Sequence, residues 1–235
     1  MTGFQSDPTS PATDNAANSW ATGSNPAVRS IYQRLLEARP ETSGNVVNSA
    51  RDAATSERLV EQATAGLSRL PYPALVIVQI VGNDLRCDGT DPEHYAEFRA
   101  SVRRAVQTIV KASPQTSVLL IGDPSRPAGY AAAIMALPST PSAFIDTRPC
   151  YLFSANRTVN QAEVARVTGL LAAYEAQLAR ACQGISQCHT DGGAAARMAM
   201  HLEDYGADHR HPSIAGHANI AAAEWPVVVS VLRLG

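Results

Sequence analysis

The chain has 235 residues, 45% of them hydrophobic and 17% charged, enough apolar material to bury a core without metals or disulfides as its main support. Nineteen Lys and Arg against 21 Asp and Glu give a net charge of -2, which excludes the basic excess that holds nucleic-acid backbones and makes nucleic acid an unexpected partner. No apolar run approaches the roughly 18 residues of a membrane span, the longest, residues 74–81, being broken by Gln79.

Residues 1–25 are rich in Ser, Thr, Asn, Asp, Pro and Gly and read as a loop entering a helix, because apolar periodicity begins only with Val28, Ile31, Leu35 and Leu36. Val46, Val47 and Asn48 form a short extended segment, and after the turn 52–56 Leu59, Val60, Ala63 and Leu67 recur at helical spacing: strand, turn, helix. Residues 75–81 are a continuous, mostly β-branched run between Pro73 and Gly82, the pattern of a strand covered on both faces inside a parallel sheet. A helix comes next over 92–111, with Tyr95, Phe98, Val102, Val106 and Ile109 on one face, and then Val118 to Ile121 make a second buried strand. Residues 122–151 are Pro-rich and read as an irregular excursion at the sheet edge. Thr158 and Gln161 fit a capping box ahead of a helix carrying Val164, Val167, Leu171, Tyr174 and Leu178. Residues 211–217 lead into a terminal helix reaching at least Ala223. With this βαβ alternation and neither an internal repeat nor a linker, residues 1–235 read as one α/β domain.

Cys87, Cys150, Cys182 and Cys188 are an even number that could close two disulfides, and the short gap from Cys182 to Cys188 suits a local loop-closing bond better than zinc or redox chemistry. The cysteine count leans toward secretion, although the first residues show neither the basic start nor the apolar stretch of a secretory signal.

Three short constellations sit where a strand ends or a helix begins, which is where open α/β sheets place their ligands. Gly82-Asn83-Asp84 comes directly after the buried strand, with an amide able to aim N–H donors into a crevice, although the same triplet is a common turn. In Asp208-His209-Arg210-His211-Pro212, Asp208 and His211 are spaced to meet on one turn, and a carboxylate that fixes a histidine tautomer makes that histidine a usable general base. Asn48 to Thr55 form a strand-to-helix turn whose free N–H groups could meet a developing oxyanion.

In this order the three blocks resemble the SGNH hydrolase superfamily of GDSL-type esterases and lipases. The strongest parts are Gly82-Asn83-Asp84 and Asp208-x-x-His211-Pro212 with Ser213-Ile214-Ala215-Gly216-His217 after it. The resemblance implies a three-layer α/β/α sandwich with a mostly parallel, flavodoxin-like sheet of five strands in order 2-1-3-4-5, and hydrolysis of acyl esters without a cofactor. It implies that His211 is the general base, Asp208 its orienting acid and Asn83 an oxyanion-hole side chain. Ala53 then stands where the family supplies a glycine N–H, a donor that survives provided the turn does not demand positive φ. The family's first block, Gly-Asp-Ser with its nucleophilic serine, is absent. The opening Met1-Thr2-Gly3-Phe4 instead resembles the residues that come directly after that serine, so the resemblance implies that the first strand and the nucleophile lie just upstream of Met1. Losing about four or five buried apolar side chains at roughly 1.5–3 kcal/mol each forfeits on the order of 10 kcal/mol, comparable to a whole domain's stability.

Ser6, Ser10 and Ser125 are poor substitutes, because none sits on a strand-to-helix elbow after the right strand. Two other readings remain. Asp208, His209, His211 and His217 could serve a metal-dependent hydrolase, or the chain could be a catalytically inactive relative that binds an acyl, lipid or sugar ester.

Overall fold

Val118, Leu119, Leu120 and Ile121 are completely buried. Successive strand side chains point to opposite faces. Here Val118 and Leu120 join one apolar cluster while Leu119 and Ile121 join another, so this strand needs a helical layer on each side. The computed structural model, which describes residues 2–3, 5–7, 10–138, 150–154 and 156–234, supplies both layers. In chain order it comprises β1 (Gln5–Asp7), β2 (Ser10–Thr13), α1 (Ile31–Ala38), α2 (Leu59–Arg69), β3 (Leu75–Gln79), α3 (Asp91–Ala112) and β4 (Ser117–Ile121). The rest of the chain adds α4 (Pro127–Met135), α5 (Gln161–Cys182), β5 (Cys188–Thr190), α6 (Ala194–Arg197) and α7 (Ile214–Leu232).

β3, β4 and β5 form an all-parallel open sheet in that order, with Leu75 opposite Ser117 and Gln79 opposite Ile121. On one face lie α2, α3 and α5, which bring Leu59, Phe98, Val102, Val106, Val167 and Tyr174 against Val118 and Leu120. On the other lie α1 and α7, which bring Ile31, Ile220 and Val228 with Trp20 against Leu119 and Ile121. This is the expected α/β/α sandwich. The helical stripes read from the sequence are those that pack: Val164, Val167, Leu171, Tyr174 and Leu178 of α5 are all buried, as are Phe98, Val102, Val106 and Ile109 of α3.

The structure departs from the sequence reading in five places. Among the described residues the sheet has three strands, where the resemblance implies five with the first upstream of Met1, and Val46 to Asn48 belong to no strand, because an extended segment becomes one only beside a partner. For the same reason β3 is the sheet's edge instead of an interior strand, and its residues are only half-buried despite their composition. The N-terminal stretch includes the antiparallel pair β1–β2, with Gln5 opposite Thr13. Within 122–151, residues 127–135 form α4, opened by Pro127 at its first position, and residues 139–149 lie outside the described residues. The cap of α5 is Asn160, whose side chain accepts from the Glu163 N–H, rather than Thr158.

The four cysteines pair as Cys87–Cys150 and Cys182–Cys188. The second closes the short loop between α5 and β5; the first ties the segment after β3 to residue 150, across 63 positions. In α7 the Glu224 side chain is fully buried, and neither carboxylate oxygen has a hydrogen-bond partner among the described residues. Burial, reinforced by Asp191, raises its pKa from 4.5 to about 8. The folded state therefore keeps a proton that the unfolded chain has released, and stability falls as pH rises between those values. In Glu224→Gln this decline should be absent. Urea unfolding from about pH 5 to about pH 9 is expected to show the variant gaining on the wild type up to about pH 8 and holding that gain above it.

Candidate functional site

β3 leads into a single turn of 3-10 helix, Gly82–Asp84, in which the Asp84 N–H donates to the Val81 carbonyl at 2.8 Å. The side chains of this turn go opposite ways. Asp84 turns inward and accepts from both the N–H and the hydroxyl of Ser56, the latter at 2.6 Å. Burial pushes the Asp84 carboxyl up while the Ser56 bonds hold it down. Asn83 is exposed and donates one amide hydrogen to the Ala54 carbonyl at 3.1 Å, leaving its second N–H without a partner among the described residues. The end of β3 is thus stitched twice to the turn before α2.

Ala53 lies in that turn, and its φ is +54°. The condition under which alanine costs nothing there is not met. A Cβ in the left-handed region crowds the neighbouring carbonyl at about 1–2 kcal/mol, a cost that glycine avoids. The Ala53 N–H has no hydrogen-bond partner among the described residues.

The second half of the site is built on Asp204, which is completely buried. Its carboxylate accepts from the His201 N–H at 2.8 Å and from the Asn219 amide at 2.6 Å, while its carbonyl accepts from the Ser213 N–H at 2.8 Å. α7 approaches so closely that a Cβ on Gly216 would stand 2.1 Å from that same carbonyl oxygen, so only glycine fits. Tyr205 bridges Pro212, and the Gly206 N–H donates to the His211 carbonyl at 2.8 Å, closing a loop over 206–211. Inside it, one Asp208 oxygen accepts the backbone N–H groups of Arg210 and His211, and the other lies 2.6 Å from His211 Nδ1. A neutral ring that donates from Nδ1 carries its lone pair on Nε2, the arrangement that can take a proton from an incoming hydroxyl.

His211, Asn83 and Ala53 line one cavity of about 780 Å³. Ser125, Tyr130 and Tyr205 line it too. The Ser125 hydroxyl shares a 3.1 Å hydrogen bond with the Tyr205 hydroxyl, and the two tyrosine rings meet edge to face at 5.3 Å. At the same cavity lie Thr2 and Gly3, the latter at φ +76° and packed so tightly that a Cβ would stand 2.1 Å from the Asn15 carbonyl oxygen. The side chains of Ser6 and Ser10 lie outside the described part of the structure. Asp208, His209, His211 and His217 do not converge: among the described residues no three His, Cys, Asp or Glu side chains come together as a metal-holding group. His217 is buried within α7, while His209 sits at φ +53° two residues before His211.

The family model for GDSL-like lipases and acylhydrolases matches residues 12–224, from β2 into α7, and so takes in Asn83, Asp208 and His211. The chain belongs to this GDSL-like Lipase/Acylhydrolase family. The family is one of hydrolases that act on small-molecule esters. A search of the curated proteins finds no match. Among the described residues of this acylhydrolase, no helix is long and apolar enough to cross a membrane.

Sequence reasoning missed the parts that hold the site in shape. Ser56, Asp204, Asn219 and Tyr205 make their contacts across the fold, and nothing in their local patterns announces it. Ser213 and Gly216 were legible as a helix start, since the Ser213 hydroxyl accepts from the Gly216 N–H in an ordinary N-cap. The strain at Ala53 has a direct check. Ala53→Gly is expected to raise stability by roughly 0.5–1 kcal/mol, the relief of left-handed crowding less the added freedom of the unfolded chain. The denaturant midpoint should move up with an unchanged slope.

Proposed function

We propose that this acylhydrolase cleaves acyl esters by a serine mechanism whose nucleophile lies in the segment immediately upstream of Met1. His211 Nε2 takes the serine proton as the hydroxyl attacks the ester carbonyl and returns it to the departing alcohol. Asp208 holds the imidazole by Nδ1 and supports the imidazolium that forms. The free Asn83 amide N–H and the Ala53 backbone N–H donate to the oxyanion of the tetrahedral intermediate. Water repeats the cycle on the acyl-enzyme. No cofactor takes part in these steps.

The observation that carries this reading is the 2.6 Å contact between Asp208 and His211 Nδ1, in a loop facing the cavity that Asn83 and Ala53 also line. A carboxylate whose other oxygen is already committed to two backbone N–H groups is an orienting group rather than a solvated charge. Support for a nucleophile preceding Met1 comes from Thr2 and Gly3, which line the same cavity as His211. Ser125, in contrast, is hydrogen-bonded to Tyr205.

The first measurement is the intact mass and N-terminal peptide sequence of the protein made from its native gene. Gly-Asp-Ser directly before Met1 is the expected result. In that protein a fluorophosphonate should label this serine, and p-nitrophenyl acetate should be turned over. Asp208→Asn should lower kcat about 10⁴-fold and His211→Ala at least as much, while Asn83→Ala should cost about 10²–10³-fold. Residues 1–235 alone should show negligible turnover. A native protein that starts at Met1 would end the hydrolase mechanism and leave ester binding as the function.

A further inference from the structure

Beyond the end of β4 lies a row of polar side chains that the ester chemistry does not use. Asp123, Ser125, Tyr130 and Tyr205 all line the cavity that His211 lines. One Asp123 oxygen accepts the Ser125 N–H at 2.8 Å, the Ser125 hydroxyl meets the Tyr205 hydroxyl at 3.1 Å, and the Tyr205 ring meets Tyr130 edge to face at 5.3 Å. Tyr130 in turn lies within electrostatic reach of Asp208 and Arg210, so the row runs up to His211.

The row is held from behind and open in front. Glu175 of α5 accepts the Asp123 N–H at 3.2 Å and pairs with Arg126 at 2.6 Å, while Pro124 and Pro127 fix φ on either side of Ser125 and Arg126. Two hydroxyls that share one hydrogen bond spend one proton between them, so the Ser125–Tyr205 pair keeps a donor and spare lone pairs for a third group. The second Asp123 oxygen, beside Gly82, has no hydrogen-bond partner among the described residues. Burial raises both tyrosine hydroxyls above the usual phenol range, which keeps them neutral.

We propose that Asp123, Ser125, Tyr130 and Tyr205 form a subsite for a neutral sugar, which the protein holds as the alcohol half of its ester substrate. A sugar ring carries several hydroxyls that both donate and accept, the match for a carboxylate oxygen and a hydroxyl pair fixed side by side. Its apolar C–H face suits the ring of Tyr130. An acyl chain fits worse, because it would cover these polar groups without pairing them. Charged headgroups fit worse too: the Asp123 and Asp208 carboxylates repel an anion, and Arg210 beside Tyr130 repels a quaternary ammonium. That the sugar is the departing alcohol rests on the mechanism proposed above; that it binds does not.

The test uses the protein made from its native gene, titrated with the methyl glycosides of glucose, galactose and mannose and followed by the backbone amide signals of Ser125, Tyr130 and Tyr205. At least one glycoside is expected to bind with a Kd of about 1 mM. Binding of none, or tighter binding of choline or inorganic phosphate, would overturn the proposal. The double variant Ser125→Ala with Tyr205→Phe removes both hydroxyls together and keeps the ring, so no partner is stranded and folding should hold. Its Kd should rise at least 10-fold, and Asp123→Asn, which keeps the acceptor for the Ser125 N–H, should weaken binding similarly. An unchanged Kd in both would place the sugar elsewhere and overturn the subsite. The monoacetate of the best-bound glycoside and ethyl acetate share an acyl group and differ in the alcohol. Their ratio of kcat/KM should favour the sugar ester at least 10-fold and fall by a similar factor in the double variant. Glycoside binding with no turnover of either ester keeps the subsite and overturns the serine mechanism. Turnover of both without glycoside binding does the reverse, and binding without preference between the esters overturns the assignment of the sugar as the alcohol half.

Discussion

Parallel pairing from Leu75 opposite Ser117 to Gln79 opposite Ile121 fixes where β3 and β4 end, and the candidate site is laid out from those ends. Gly82-Asn83-Asp84 leaves β3 at that height. Asp123 and Ser125 leave β4 beside it, close enough that a Cβ on Gly82 would meet the Asp123 carboxylate at 3.1 Å. This register depends on helices covering both faces, because a parallel sheet has no solvated side. Among the described residues no strand pairs with the other edge of β3, and β3 lines the same cavity as Asn83 and His211.

Around these strand ends the site is rigid where it positions groups and open where it would react. Asp84 and Asp204 face inward and spend their oxygens on backbone and side-chain donors. Asn83 and His211 face the cavity, Asn83 held by the Ala54 carbonyl and His211 by Asp208. Carboxylates with several donors order the loops, and the exposed Asn83 amide keeps an N–H for chemistry. The strained φ at Ala53 falls in the same region, consistent with a turn whose shape is set by its neighbours rather than by its own sequence.

The site was legible in its local pairs and illegible in its supports. Asp208 and His211 are three positions apart, so a single turn brings them together and spacing is enough to propose the pair. Gly82-Asn83-Asp84 could be located because an apolar run ends there. The anchors of these segments, Ser56 to Asp84 and Asn219 to Asp204, span 28 and 15 residues, and no periodicity encodes them. The Cys182–Cys188 bond is of the first kind and Cys87–Cys150, over 63 positions, of the second.

From the sequence alone came the helical stripes of α3 and α5, the two strongest apolar strands, the α/β class and the order of the motif blocks. Each of these depends on side-chain periodicity or contiguity, which a chain carries before it folds. Tertiary structure alone decided that Val46 to Asn48 form no strand, that β3 is an edge, and that alanine at position 53 sits in the left-handed region. Each of those depends on what lies next to a segment in space, since backbone donors and acceptors make a strand only when a neighbour at about 4.8 Å takes them up.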